Sequence, residues 1–399
     1  MMVSHARHSP SASGSFLLLV ASCMPPGTQR QHALSQAIDR DIDAATLLQL
    51  AHWHRVEPLL ACAVTEAGVI LPAPAREKLQ RRARDARLTT LRNIAEEARL
   101  ARAAGNSGLD LLFIKGATVG HLAQVDPTAK RSWDIDILVA PDDLRRACAF
   151  LDAEGYVLHL PAGVGTGPQR ERWLAGNRES LWRHPARRTA VELHTALCES
   201  PAMLPGVGMA SPRQQVTLAG QAVPTLATAE LFAYLTVHGA THGWARLKWL
   251  ADVAGLIAMG DIPVQELHDA AVRLGAGHCP GVALILCREL FDLPLPEALE
   301  RRLRADRGVM RLVRHSRAAI EGDGSPDRHL SADSFGEIVA SLRLQYWLAP
   351  GIAYRLRTFW SQWTRPYAPS LAHIPGPLLP LAMVAWLPGR LLTRRWRRT

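Results

Sequence analysis

Three acidic side chains carry the chemical interest of this 399-residue sequence. Asp134 and Asp136 stand two apart in the run 132–139, Ser-Trp-Asp-Ile-Asp-Ile-Leu-Val. Along a strand side chains alternate faces, so the two carboxylates project together while Ile135, Ile137 and Val139 project oppositely. Two neighbouring carboxylates are costly unless a cation lies between them. Hard divalent cations prefer such oxygen ligands, and magnesium commonly takes one or two carboxylates together with substrate phosphates. Glu192, flanked by Val191 and Leu193 on the opposite face, offers a third carboxylate from another strand. Three acids on adjacent strands can hold two ions, one activating an attacking hydroxyl and the other gripping phosphates. Lys115 and Gly116 follow an apolar run at a helix start, where an ammonium and backbone N–H groups suit phosphate. Arg131 precedes the acidic pair and can add a bidentate phosphate contact. His194, two residues after Glu192, shares its face and is a cleft residue. Taken singly, each of these groups also fits a plainer role as a solvated edge-strand carboxylate, a surface charge or an ion-pair partner.

The elements that must position these groups follow from periodicity. Residues 30–105 read as helices, with apolar spacing across 35–50 and a long charge-laced helix or helix pair over 73–104. A turn at 105–108 leads into an apolar strand, 109–114, and the acidic run 132–139 forms a second strand. Pro141-Asp142-Asp143 opens an amphipathic helix over 144–154, closed by Gly155. Residues 156–160 are extended, 160–172 form a glycine-bearing loop, and 188–194 form another strand. Helical periodicity returns over 228–320. The expected fold class is α+β, a small mixed-sheet core embedded in helical N- and C-terminal segments. The boundaries read as an N-terminal helical region 1–105, an α/β core 106–205, a helical region 206–330 and a basic C-terminal segment 331–399.

Composition narrows the function classes. Hydrophobic residues at 48% and charged residues at 21% exclude a disordered or collagen-like chain. Six cysteines without CxxC spacing indicate neither a disulfide framework nor a zinc site, and a reducing cytoplasm is the expected compartment. The net charge of +10 invites a nucleic-acid reading, but nine arginines and no acid fall after Val339. The charge therefore belongs to a tail, the rest of the chain is close to neutral, and nucleic acid is not the expected partner. The apolar run 16–24 ends at Pro25-Pro26, which favours a buried first helix over a signal peptide. The proline-broken apolar stretch 374–392, followed by Arg394-Arg395-Trp396-Arg397-Arg398, fits an interfacial segment contacting a membrane surface or acidic partner better than a span. His238 and His242, four apart on a helix, read as structural, and Arg246 with Asp252 as a surface or interhelical pair. Trp133 is read as stiffening the strand. No HExxH, GxSxG or P-loop is present.

The order of these features is more specific than any one of them. Strand, Lys-Gly, helix, Arg, strand with Asp-x-Asp, helix, Gly-Tyr, and strand with an acid and then His resembles the DNA polymerase β-like nucleotidyltransferase superfamily. Within it the chain resembles an uncharacterised bacterial nucleotidyltransferase-like family. The matching text is FIKGATVGHLAQVDPTAKRSWDIDILVAPDDLRRACAFLDAEGY (113–156) and VELHTAL (191–197), with echoes in AHWHRVEPLL (51–60) and HGATHGWARLKWLADVAGLI (238–257). The resemblance implies that Asp134, Asp136 and Glu192 are the metal-binding and catalytic acids, with Mg²⁺ or Mn²⁺ as cofactor. It implies Lys115, Gly116, Arg131 and His194 around the nucleotide, an NTP as substrate, and a small-molecule, peptide or protein acceptor. Two departures stand out: the superfamily's Gly-Ser appears here as Gly116-Ala117, and its third Asp as Glu192. They leave a nucleotidyltransferase-fold binding or scaffold protein as the alternative.

Overall fold

The computed structural model describes residues 13–124, 126–160, 173–174, 176–322 and 343–364, with residues 374, 378, 381 and 382 beyond them. Residues 161–172 of the expected loop, the rest of the stretch 374–392 and the arginine cluster 394–398 lie outside the described residues.

The chain opens with α1 (Gly14–Ser22), α2 (Thr28–Ile38), α3 (Ala44–His54), α4 (Glu57–Glu66) and the 34-residue α5 (Ala73–Asn106). Phe16, Leu18 and Leu19 of α1 are buried, as the apolar run 16–24 predicts. The helical spacing expected across 35–50 is instead broken at 39–43. Asp43 accepts a hydrogen bond from the Thr46 N–H at 2.8 Å and caps α3, so an acid in that stretch begins a new helix. Next come β1 (Leu112–Phe113), α6 (Ala117–Ala123), β2 (Ile135–Leu138), α7 (Leu144–Ala153) and β3 (Val157–Leu160). They are followed by β4 (Glu179–His184), β5 (Thr189–His194) and a hairpin of β6 (Arg213–Leu218) and β7 (Gln221–Leu226). The later helices are α8 (Thr228–Thr241), α9 (Leu247–Met259), α10 (Val264–Arg273), α11 (Cys279–Phe291), α12 (Glu297–Ala305), α13 (Arg307–Ile320) and α14 (Ile352–Trp363).

Five strands form a mixed sheet in the order β1-β2-β5-β4-β3. Only β2 and β5 run parallel; the other neighbours are antiparallel. The alternation read from the sequence sorts the two faces. Ile135, Ile137 and Val139 join Val191, Leu193 and Trp182 in a core closed by Leu100 of α5, Leu151 of α7 and Val223 of the hairpin. Leu112, Ile114 and Leu138 face the larger helical core with α1, α8, α9 and α11. The acidic face is therefore partly roofed by helices: Asp136 is buried and Glu192 remains partly exposed.

The roof meets the sheet layer where α9 crosses α6. A Cβ built on Gly255 of α9 would lie 1.9 Å from the Ala123 carbonyl oxygen, a backbone atom that cannot step aside. Gly255→Ala is therefore expected to lower the unfolding free energy by about 1–3 kcal/mol by overpacking. Urea unfolding checks this, and an unchanged midpoint would contradict the close packing of α9 on α6.

Candidate active site

The site is assembled from strand register outwards. The parallel pairing of β2 with β5 sets Asp136 opposite Glu192 and Leu138 opposite His194. Asp136, Glu192 and His194 consequently offer ligand atoms that all lie within 4.8 Å of one another. The His194 Nε2 is 3.1 Å from the Asp136 Oδ1 and 3.6 Å from the Glu192 Oε2, while the Lys115 ammonium ion-pairs with the same Asp136 oxygen. The buried His194 Nδ1 makes no hydrogen bond; the Glu179 carboxylate stands 3.8 Å away.

Charge in this confined space moves the titrations. Burial would raise the Asp136 carboxyl, but the Lys115 ammonium and the His194 hydrogen bond outweigh it and hold it well below the usual carboxylate range. His194 is disfavoured as a cation by burial, yet its hydrogen bonds to Asp136 and Glu192 carry it above the ordinary imidazole value. Lys115 is likewise pushed well up, the nearby acids outweighing desolvation. Asp134 has no ion-pair partner among the described residues. Burial, then repulsion from Asp136 and Glu192, pushes it up to about 6. Asp134 lies just ahead of β2, beside the three-ligand group and not within it.

A buried polar stripe on α5 holds the two loops that carry Lys115 and Asp134. Thr90, Asn93 and Glu97 lie three and four residues apart, on one helical face, and all three are buried. The Thr90 hydroxyl donates to the Lys130 carbonyl at 2.8 Å, and the Asn93 amide donates to the Ser132 carbonyl at 3.2 Å. Ser132 donates in turn to the Asp134 carbonyl at 2.9 Å. The Glu97 Oε1 accepts the Ala117 N–H at 3.1 Å, while its Oε2 is buried without a hydrogen bond. Gly116 turns beneath this carboxylate at φ +68°, where a Cβ would come within 2.9 Å of the Glu97 oxygen. The first N–H of α6, the donor expected for phosphate, is thus already bonded to an acid.

Arg131 does not reach the acidic group. It donates to both oxygens of the buried Glu57, at 2.5 and 2.7 Å, and lies 4.5 Å over the ring of the half-exposed Trp133. A buried carboxylate requires a cation, and Arg131 supplies it. Trp133 precedes β2 and carries this guanidinium, in contrast to the strand-stiffening role expected of it. Asp252 pairs with the buried Lys130 and not with Arg246, whose guanidinium lies over the rings of Trp53 and Trp249. The rings of His238 and His242 meet edge-to-face at 4.8 Å, and Trp249 stacks on His242 at 5.2 Å.

Two cations escaped the sequence reading. Lys248, at the start of α9, and Arg55, which ends α3 in a left-handed conformation, influence the titration of Asp134 or are influenced by it. Neither has an ion-pair partner among the described residues. Burial, followed by repulsion from Lys130 and Arg55, depresses the Lys248 amine to about 7. The available signal was the pair of flanking segments, 51–60 and 238–257, which contain Arg55 and Lys248 and converge on Asp134 from opposite ends of the chain.

The donor set suits a divalent cation. Two carboxylates and an imidazole stand within ligand range, a third carboxylate lies beside them unpaired, and burial makes their mutual repulsion expensive.

Comparison with known proteins places the chain in a family. The family model described as an uncharacterised nucleotidyltransferase matches residues 40–292, which include every site residue named above. No curated protein matches the sequence. Among solved structures, an antigenic nucleotidyltransferase-like protein from Paracoccidioides brasiliensis is 16% identical, with a TM-score of 0.31. The match covers 54% of this chain and 93% of that one, a likeness too slight to carry weight.

Glu97 offers a test of the buried stripe. Burial, reinforced by Asp136 and opposed by the Ala117 N–H, pushes its carboxyl up to about 8 from an ordinary 4.5. The native state therefore retains a proton that the unfolded chain releases, and stability attributable to Glu97 falls as pH rises from about 4.5 to 8. Glu97→Gln removes that dependence. Its melting temperature is expected to exceed that of the parent by more at pH 8.5 than at pH 5.5, and a constant difference across this range would refute the assignment.

Proposed function

Because the chain belongs to the uncharacterised nucleotidyltransferase family, we propose that it is a divalent-metal-dependent nucleotidyltransferase, moving NMP from an NTP onto a hydroxyl or phosphate of an acceptor as the bond from the α-phosphorus to the departing pyrophosphate breaks. The observation that carries this reading is the meeting of Asp136, Glu192 and His194 within ligand range, beside an unpaired Asp134 and two unpaired cations. A Mg²⁺ or Mn²⁺ ion bound there would withdraw charge from phosphoryl oxygens and lower the pKa of an acceptor hydroxyl. Asp136 and Glu192 supply the oxygen ligands and His194 a nitrogen, with Asp134 adjoining them. Lys248 and Arg55 line the cleft where their charge has no protein partner, and they take the triphosphate role that Arg131 cannot fill while it neutralises Glu57. The roof of α8 and α9 restricts water around the reacting groups. The acceptor is a small molecule, a peptide or a protein.

A second reading has its own observation. The Glu97 carboxylate at the start of α6 occupies the donor that a phosphate would use, and Ala117 adds no hydroxyl. These features favour a protein that keeps the fold to bind a partner without turnover. Calorimetry that detects neither NTP nor Mg²⁺ binding would support it.

The enzymatic reading predicts that labelled NTP is consumed with Mg²⁺ or Mn²⁺ and an acceptor, and that Asp136→Ala lowers transfer by about 10²–10³-fold or more. Undiminished transfer by this variant would remove the acid from the mechanism. Arg131→Gln is expected to leave the KM for NTP unchanged while lowering stability by about 3–5 kcal/mol, because it strands the buried Glu57.

Lys248 gives a pH signature. With its amine near 7, it is mostly neutral at pH 8, and a triphosphate placed against it favours the charged form. NTP binding at pH 8 should therefore take up close to one proton, visible as a dependence of calorimetric enthalpy on buffer ionisation. Lys248→Met should abolish the uptake, and an unchanged value would place the phosphates elsewhere.

A further inference from the structure

The helix α14 presents a face that the described residues do not cover. Its inner side is pinned to the body: Tyr354 and Thr358 are buried, the Thr358 hydroxyl lies 2.9 Å from that of Ser200, and the Tyr354 hydroxyl donates to the Gln345 carbonyl. The outer side carries Ile352, Leu356, Phe359 and Trp360, at the i, i+4, i+7 and i+8 positions of one helical stripe. Their exposure is 68%, 60%, 47% and 59%, so four large apolar side chains point together into solvent. At 100° per residue, Arg355 and Arg357 fall on opposite sides of the stripe, and neither has an acidic partner among the described residues.

An isolated exposed leucine needs no explanation, but a contiguous apolar stripe bordered by cations does. The charge of this part of the sequence selects the partner. Neither α14 nor any later residue is acidic, and the nine arginines after Val339 include the two that border the stripe. A protein groove accepting such a helix would match its apolar face but would not require the one-signed charge. An anionic bilayer matches both, because acyl chains receive the apolar face while arginines extend to the headgroups. At 12 residues the helix is too short to span, and among the described residues no helix is long and apolar enough to cross a membrane.

We propose that α14 docks the protein in-plane on an anionic lipid surface. Ile352, Leu356, Phe359 and Trp360 enter the headgroup–acyl boundary, and Arg355 and Arg357 bind lipid phosphates on either side. The buried Tyr354 and Thr358 hold the body of the protein against that surface.

The test is flotation of the full-length protein with vesicles of phosphatidylcholine alone or with about one-third phosphatidylglycerol. Binding is expected to the anionic vesicles, to be weak to the neutral ones, and to fall at least tenfold in 0.5 M NaCl. The double variant Leu356→Glu, Trp360→Glu should reduce binding at least tenfold while its melting temperature stays unchanged. Arg355→Gln and Arg357→Gln should each weaken it about fivefold. Absence of binding to the anionic vesicles would overturn the proposal. Full binding by the double variant would also overturn it, placing the contact on residues 365–399. Loss of a concentration-dependent dimer in the double variant, without vesicle binding by the parent, would reassign the stripe to a second copy of the chain.

Discussion

The parallel pairing of β2 with β5 sets the terms for the rest of the molecule. It brings the buried Asp136 level with the partly exposed Glu192 on one face of a sheet, where two like charges repel. Lys115 and His194 meet this demand at Asp136, and His194 also stands 3.6 Å from Glu192. Asp134 has no ion-pair partner among the described residues, and burial followed by repulsion from Asp136 and Glu192 shifts it upward. A fold that served only stability would have replaced these acids with apolar residues, as it did at Ile135 and Ile137 on the opposite face.

The supporting polar groups are organised by the same constraint. The strands place the acids, but the loops at 115–117 and 130–134 have no ladder to hold them. The buried stripe on α5 substitutes for one: Thr90 and Asn93 fix the second loop through its carbonyls, and Glu97 fixes the first through an N–H. Each contact satisfies a buried backbone group that would otherwise lack a partner. α5 thus serves two purposes, with Leu100 in the sheet core and its polar face directing the site loops.

How much of this was legible in the sequence depended on the range of the interaction. Alternation in 132–139 and 188–194 revealed the strands and the shared acidic face, because that pattern is local. The break between α2 and α3 was missed because Asp39, Asp41 and Asp43 fit a polar helical face as well as they fit a cap. The hairpin of β6 and β7 and the strand β4 were not singled out, since their burial depends on α5 and β5 far away in sequence. Arg131 was assigned to phosphate because its partner Glu57 lies 74 residues away and no pattern connects them. Lys248 and Arg55 meet Asp134 only after the chain has closed the roof over the sheet. Nothing singles out Thr90, Asn93 and Glu97 within the charge-laced helix, for a buried polar stripe and an exposed one have the same spacing.

The ion pair between Lys115 and Asp136 makes the protein its own competitor. A metal ion bound at Asp136, as the proposed function requires, would share that carboxylate with the tethered ammonium of Lys115. Its affinity would be lower than the same ligands would give with the lysine absent. The ammonium would then need a further counterion, and an anionic ligand entering the cleft can be one. Cation and anion consequently assist each other's entry, and by thermodynamic reciprocity each does so to the same degree. In the proposed reaction one lysine would thereby couple the two binding events.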